Sequence, residues 1–188
     1  MLQSTSVDRP LLSARVNLLT YSEDFSTGVW STVVYGSGTV AITPNYSLAP
    51  DGTTTACRVL GTAPGGSDGG TLRVSRLIGA GNPYTRSVYI KSNTGIAQTI
   101  SICAGLGSEG LITVPSSGWA RFDVASSAYS YIWNLGLYRP DGTDATCDVS
   151  IWHPQTELGT TATDYQSILT DGSTYASGPP IAQLYDGV

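Results

Sequence analysis

Short runs of apolar and β-branched residues recur along this chain, and almost none shows the 3.6-residue spacing of an amphipathic helix. Clusters of Gly, Pro, Asn and Asp separate the runs, as in PGGSDGG and RPDG. This punctuation is typical of antiparallel β-sandwiches and barrels. We predict strands at residues 31–35, 39–43, 56–60, 71–78, 85–92, 98–106, 111–115, 120–126, 130–138 and 146–152.

The predicted strands have one apolar and one polar face. In ARFDV, Ala120, Phe122 and Val124 point one way, whereas Arg121 and Asp123 point the other. The run TCDVSI alternates in the same manner. Because each strand would bury one face and leave the other wet, about eight to ten such strands suit two stacked antiparallel sheets. The sequence therefore predicts an all-β sandwich.

The 188 residues are the size of one domain, which we place at residues 16–168 between an N-terminal arm (1–15) and a C-terminal extension (169–188). Short arms of this kind need another chain to order them, which favours an assembly. A net charge of −5 argues against non-specific binding to nucleic acid or anionic membrane. The N-terminus lacks the pattern of a signal peptide, and no apolar run approaches bilayer length.

Three cysteines and one histidine restrict the chemistry that is available. Cys57, Cys103 and Cys147 show no CxxC spacing, and His153 is the sole histidine, so a zinc site is not expected. We predict that the cysteines are small buried strand residues in a reducing compartment, one disulfide being the alternative. No GxSxG, Walker or HExxH pattern occurs, and most acidic residues occupy turn motifs. The sequence predicts no enzyme.

Aromatic residues supply a candidate glycan-binding platform. Sugars stack their C–H faces on exposed rings, helped by neighbouring amides and charges. In AYSYIWNLGLYRPDG, alternation places several rings on one face of one strand. The alternative is that this face packs against the second sheet or a neighbouring subunit, since the leucines of the run continue it. The candidate residues are Tyr129, Tyr131, Trp133, Asn134, Tyr138 and Arg139.

Five blocks of the sequence, taken in order, resemble a family of bacteriophage virion modules. The first block, RPLLSARVNLLTYSEDFSTGVW, is similar to the family's opening run, which ends in a Trp after a short turn. APDGTTTACRV, YTRSVYIKSNTG and SSGWARFDV resemble the blocks that follow. VSIWHPQTELGTTATDYQ is similar to the closing Trp-x-x-Gln-x-Glu-x-Gly segment. The resemblance spans residues 9–168.

The resemblance implies a jelly-roll sandwich similar to carbohydrate-binding modules, as found in exposed virion proteins. Within it, Leu18 and Leu19 are expected to start the first strand, and Phe25 and Trp30 to plug the sandwich. The three tryptophans inside the family blocks are assigned to the core. One departure is a His-Pro pair where the family has a small Gly-Ala pair, so the local turn is expected to differ. The core tryptophans are Trp30, Trp119 and Trp152.

The resemblance also implies a function. We expect a non-enzymatic virion protein, made in the host cytoplasm and exposed on the particle, that decorates the capsid and contacts other virion proteins as a homo-oligomer such as a trimer. The alternative is a tail or head fibre module that binds host-surface glycan. No cofactor is expected except a structural calcium, because jelly rolls of carbohydrate modules often bind one. Glu23, Asp24 and Asp148 are its candidate ligands, the alternative being solvated carboxylates.

Overall fold

A computed structural model describes residues 16–63, 69–77, 83–102, 110–126, 131–138 and 145–169. Within these ranges the chain is all-β and contains no helix. None of the described segments is therefore a helix that is long and apolar enough to cross a membrane. The predicted arm at 1–15 and all but the first residue of the predicted extension at 169–188 lie outside the described residues.

The described part of the chain contains ten strands. Each of the ten predicted runs overlaps one of them. In chain order they are β1 (Trp30–Tyr35), β2 (Thr39–Ser47), β3 (Ala56–Ala63), β4 (Gly69–Leu77), β5 (Tyr84–Ser92), β6 (Gln98–Ser101), β7 (Leu111–Val114), β8 (Ala120–Ser126), β9 (Tyr131–Tyr138) and β10 (Ala145–Leu158).

The strands form two five-stranded sheets whose neighbours pair antiparallel. The front sheet has the order β2-β3-β10-β5-β8, and the back sheet has the order β1-β4-β9-β6-β7. Without the edge strands β1 and β2, the eight remaining strands interleave between the sheets in the order that two nested Greek keys produce. The fold is a jelly-roll sandwich, as expected.

The core fills the space between the sheets with the inward residues of both. Val59, Ile90 and Ile151 of the front sheet face Leu72 and Leu135 of the back sheet, and all are buried. Burial of each such side chain stabilises the fold by about 1.5–3 kcal/mol. The predicted plug is confirmed: Phe25 and Trp30 are 3% and 5% exposed, and their ring centroids lie 4.7 Å apart.

The expectation that Leu18 and Leu19 start a strand is wrong. Residues 16–19 belong to no strand, although Leu19 is fully buried in the core. The backbone N–H of Leu19 bonds instead to the Oδ1 of Asn17 at 3.1 Å. Tyr21 then takes a φ of 47°, which turns the chain away from an extended path.

The cysteines behave as predicted where the structure describes them. Cys57 and Cys147 are buried in β3 and β10 and carry free thiols. Burial raises the pKa of both thiols to about 12, so neither forms a reactive thiolate near neutral pH. Cys103 lies outside the described residues.

The last strand runs six residues past its predicted end at Trp152, through a β-bulge. Trp152 pairs with Tyr89 and Gln155 pairs with Ser87, so His153 and Pro154 face a single residue of β5. His153 has a φ of 52°, and proline, which has no N–H to donate, is tolerated at a bulge. The bulge lets the alternation of β10 restart with Gln155 on the outer face of the front sheet, where Asp164 and Gln166 bond to it and it is buried.

Candidate functional site

The outward face of the front sheet carries most of the cationic side chains that the structure describes. On β3, β5 and β8, residues that alternate with the core positions point outward, among them Arg58, Lys91 and Arg121. Aromatic rings lie beside each of them. We call this surface the aromatic–cation face and define it as Tyr46, Arg58, Tyr89, Lys91, Trp119, Arg121 and Trp152.

One row of this face crosses three neighbouring strands. Trp152 on β10 lies opposite Tyr89 on β5, which in turn lies opposite Arg121 on β8. The Trp152 and Tyr89 rings meet edge to face, with centroids 5.4 Å apart, and the Arg121 guanidinium carbon lies 5.7 Å from the Tyr89 centroid. The Trp152 indole N–H donates to Thr55 Oγ1 at 3.1 Å. Adjacent rings and hydrogen bonds therefore fix the positions of this row.

Two further cations lie over rings. Lys91 Nζ is 5.2 Å from the Trp119 ring centroid, and the Arg58 guanidinium carbon is 4.9 Å from that of Tyr46. Such contacts are worth roughly 0.5–1 kcal/mol at exposed sites. Trp119 and Trp152 are half-buried, so their predicted place in the core is wrong, and of the three assigned tryptophans Trp30 alone is a core residue. In the alternation of β8 and β10, Trp119 and Trp152 fall on the outward side of the sheet.

Arg58 differs from the other two cations because a carboxylate neutralises it. Its Nε and Nη2 donate to Asp148 at 2.8 and 2.6 Å, and Asn93 Nδ2 donates to the same carboxylate at 2.9 Å. The hydrogen bonds from Arg58 are the largest cause of a lowered pKa at Asp148. Gln98 completes the arrangement by bonding both the N–H and the carbonyl of Asp148, at 2.7 and 2.9 Å.

The three candidate calcium ligands are not brought together. Asp148 is engaged by Arg58, whereas Asp24 accepts hydrogen bonds from Ser26, which lower the pKa of Asp24. Glu23 accepts from the Tyr165 hydroxyl at 3.2 Å. Across the described ranges no group of three or more His, Cys, Asp or Glu side chains forms a metal site. Calcium binding by this chain stays a prediction.

The predicted platform on β9 is wrong at Trp133. The Trp133 side chain is fully buried and meets the Trp30 ring edge to face at 5.4 Å, so no sugar can stack on it. It faces inward because it shares its face with the core residue Leu135. Asn134 is also buried, at 7% exposed. Tyr131 is the first residue of β9 and Tyr138 is the last. Tyr129 and Arg139 lie outside the described residues.

A second polar region forms where the first and last described segments of the chain meet. Residues 16–25 and 159–169 dock against the last residues of β10, and we call this region the terminal clasp. Asn17 Oδ1 accepts from the N–H groups of Leu19 and Thr156 at 3.1 and 3.2 Å, and its Nδ2 donates to the Gln166 carbonyl at 2.8 Å. Leu18 N–H bonds to the Thr156 carbonyl at 2.7 Å.

Buried side chains continue the clasp. Ser22 bonds to the Tyr165 hydroxyl at 2.6 Å and to the backbone of Ile168. Glu157 is fully buried, and its carboxylate accepts from Gln155 Nε2 at 2.7 Å and from both the N–H and the hydroxyl of Thr163. Its full set of donors compensates the cost of burying this carboxylate. The clasp is therefore a cap that holds the sandwich closed.

His153 connects the clasp to the aromatic–cation face. Its ring stacks between Trp152 and Tyr165, with centroid distances of 3.2 and 3.6 Å. Burial lowers the pKa of His153 to about 4, although Glu23 at 3.8 Å and Asp51 act in the opposite direction. His153 is consequently neutral at pH 7, and its contact with Glu23 is not an ion pair there.

The sequence contains a signal for the aromatic–cation face in the alternation of β5 and β10. In YTRSVYIKS, Val88 and Ile90 take the core positions, which places Tyr89 and Lys91 on the outer face. Trp152 shares the outward positions of β10 with the polar Asp148. Alternation alone therefore indicated an aromatic and cationic surface, whereas assigning every block tryptophan to the core concealed it.

The sequence matches no protein-family model and no curated protein. Solved structures with a similar fold include the CBM22-1 xylan-binding domain of Paenibacillus barcinonensis Xyn10C, with 17% identity, 79% of this chain and 98% of that chain covered, and a TM-score of 0.45. Another is a family 11 carbohydrate-binding module from Clostridium thermocellum, in complex with a β-1,3-1,4-mixed-linked tetrasaccharide. It shows 13% identity, with 78% of this chain and 97% of that chain covered, and a TM-score of 0.45.

A third similar structure is the enzymatically active domain of bacteriophage CBA120 tailspike protein 4. It shows 14% identity, with 76% of this chain and 21% of that chain covered, and a TM-score of 0.43. The jelly-roll assignment rests on the strand order of this chain's own two sheets.

Proposed function

We propose that this chain is a non-enzymatic structural protein of a bacteriophage virion, a capsid decoration protein that displays its β-sandwich on the particle surface. The five sequence blocks that resemble virion modules support the proposal. The observation that carries it is the terminal clasp, in which the first and last of those blocks interlock through Asn17, Ser22, Tyr165 and Gln166.

The clasp also determines where the flanking segments join the sandwich. Because Ser22 bonds to Ile168 and Asn17 bonds to Gln166, the chain enters and leaves the sandwich at the same end. The first and last described residues, 16 and 169, therefore lie at the same end of the sandwich. In the proposal the flanking segments anchor the module to capsid subunits or to other copies in a homo-oligomer such as a trimer, and the rest of the sandwich projects outward.

The non-enzymatic part of the proposal rests on the sequence, in which no GxSxG, Walker or HExxH pattern occurs. The proposal includes no cofactor.

The copy number of the protein in purified virions tests the proposal. Quantitative mass spectrometry would compare this chain with the major capsid protein of the same particle. A decoration protein is expected at hundreds of copies, and particles that lack it should open at lower temperature. A dozen copies would place the chain in the tail or a fibre, and its absence from virions would contradict the proposal.

A second candidate is a receptor-binding module that contacts glycan on the host surface. The aromatic–cation face favours it, because half-buried rings beside charged groups are what a sugar-binding surface requires. Adsorption to host cells tests it: a Trp119→Ala variant of the virion protein should adsorb less well than the unmodified particle. Equal adsorption would count against this candidate.

A further inference from the structure

We propose that the aromatic–cation face binds a carboxylate-bearing glycan, with Lys91 and Arg121 as the groups that recognise its carboxylates. The inference rests on the glycan-binding candidate above and names the class of sugar. It does not depend on where in a virion the protein is located.

The aromatic–cation face carries two cations that no carboxylate balances. In the described part of the chain, Arg58 pairs with Asp148, whereas Lys91 and Arg121 form no ion pair. Asp123 lies two residues from Arg121 on β8 and is exposed, but it forms no ion pair with it. A pair of uncompensated cations stands out in a chain whose net charge is −5.

The register of β5 and β8 sets the spacing of the two cations. Arg121 lies directly opposite Tyr89, and Lys91 is two residues further along the same face of β5. Lys91 and Arg121 are therefore diagonal neighbours on adjacent strands, about 7–8 Å apart at their Cα atoms. Arg121 Nη2 bonds to Ser87 Oγ, on the other side of Tyr89 from Lys91, so the two charged groups suit successive carboxylates of an acidic oligomer.

Contacts within the protein hold both cations in place before a ligand binds. The Trp119 ring lies beside the Lys91 ammonium, and the Tyr89 ring lies beside the Arg121 guanidinium. Arg121 also donates to Ser87 Oγ at 3.2 Å and to the Thr163 carbonyl. Both bonds use Nη2, and a guanidinium has five N–H donors, so the remaining nitrogens are available to a ligand. Fixing the cations beforehand reduces the entropy that binding would otherwise cost.

The face suits a glycan better than nucleic acid, which also combines anionic charge with ring stacking. The Trp119 and Tyr89 rings are half-exposed and offer apolar contact to the C–H groups of a pyranose. A polyphosphate chain would bring a dense row of charges against a protein of net charge −5. Two separate cations suit an oligomer in which each acidic sugar carries one carboxylate.

Isothermal titration of the full chain tests the inference. The probes are oligomers of galacturonic, mannuronic and sialic acid, each compared with its methyl ester, which keeps the sugar and removes the charge. We expect at least one acid oligomer to bind and its ester to bind about tenfold more weakly, a difference of 1.4 kcal/mol. Raising the salt concentration should weaken binding of the acid form alone.

Variants locate the site. Lys91→Gln should lower the affinity about tenfold, and Lys91→Arg should restore most of it, with unchanged thermal unfolding for both. Leu60→Gln is the matched control, because Leu60 is 41% exposed on the same face of the front sheet yet outside the defined surface. It should bind like the wild-type chain.

Several outcomes would overturn the inference. If acid and ester oligomers bind equally, the glycan-binding candidate survives and the role of the cations is wrong. If no oligomer binds, that candidate and the inference both fail, whereas the decoration role is decided separately by copy number. Tighter binding of single-stranded oligothymidylate would assign the face to nucleic acid. Dissociation of a protein homo-oligomer by Lys91→Glu would assign the face to a subunit interface.

Discussion

The terminal clasp and the aromatic–cation face adjoin at the bulge of β10, but they treat their polar groups in opposite ways. In the clasp, the side chains of Asn17, Gln155 and Glu157 are buried and hydrogen-bonded within the protein. On the face, Lys91 and Arg121 stay half-exposed and keep donors that protein groups do not use. The first arrangement contributes to stability, and the second is suited to binding a ligand.

The end blocks and the middle blocks of the sequence resemblance belong to different regions of the molecule. The motif residues at both ends of the resemblance, such as Asn17, Glu157 and Tyr165, have structural partners in the clasp. A module that must close its sandwich needs them whatever it binds. The residues that we assign to binding lie in the middle of the chain, where the pleat of β5 and β8 exposes them.

Asn17→Ala should have the largest effect on stability. The substitution leaves the buried N–H groups of Leu19 and Thr156 without their acceptor, and unsatisfied buried groups cost about 1–3 kcal/mol each. We expect the free energy of unfolding to fall by about 2–4 kcal/mol and Tm by about 5–12 °C. Thr113→Ala, at an exposed position of β7, is the control and should change the stability by less than about 0.5 kcal/mol. A similar Tm for both variants would show that the clasp does not hold the sandwich closed.

The pH dependence of stability should come next in size. His153 has a pKa lowered from 6.5 to about 4, so between these values the unfolded chain binds the proton more readily than the folded chain. The contribution of His153 is therefore fully present above pH 6.5 and is lost as the pH falls towards 4. Because the side chain is 19% exposed, we expect a loss of about 1–2 kcal/mol, measured by urea unfolding.

The matched variant for this prediction is His153→Asn. Asparagine tolerates the positive φ of 52° at this position and does not titrate. Its unfolding free energy should vary less with pH across the same window than that of the wild-type chain. Parallel pH curves for the two proteins would assign the dependence to other groups.

The Arg58–Asp148 pair should give the smallest effect, because both side chains are part-exposed, at 27% and 18%. A double-mutant cycle with Arg58→Met and Asp148→Asn should yield a coupling energy of about 1 kcal/mol. Since Arg58 lowers the pKa of Asp148, this coupling is present above pH 4 and is lost as the pH falls below the usual aspartate range. A coupling energy of zero at pH 7 would mean that Asp148 is not the group that neutralises Arg58.

The strands could be predicted from the sequence because period-2 alternation and turn residues are local signals. The end of β10 could not, since the Pro154 that indicated a turn is accommodated by a bulge that depends on pairing with β5. The extended path expected for Leu18 and Leu19 was replaced by hydrogen bonds at the Asn17 side chain, two of whose partners, Thr156 and Gln166, are more than a hundred residues away. Long-range contacts of this kind leave no trace in local spacing.

The candidate site was less predictable than the fold. An aromatic strand face can point to the core or to solvent, and the sequence of β9 does not tell which. The structure places Trp133 inward, which confirms the packing alternative for this residue, and Trp152 half outward, against its assignment to the core. Their surroundings decide this: Trp133 continues the core row of Leu135, whereas Trp152 occupies the row of Asp148.

Binding at the aromatic–cation face is tested most directly by following the indole N–H signals of the four tryptophans by NMR while an acidic oligosaccharide is added. We expect the Trp119 signal to move in proportion to the bound fraction and the Trp152 signal to move less, because Thr55 already accepts a hydrogen bond from the Trp152 N–H. The signals of the buried Trp30 and Trp133 should stay in place. Movement of the Trp133 signal with the Trp119 signal unchanged would show that the binding site is on β9 instead.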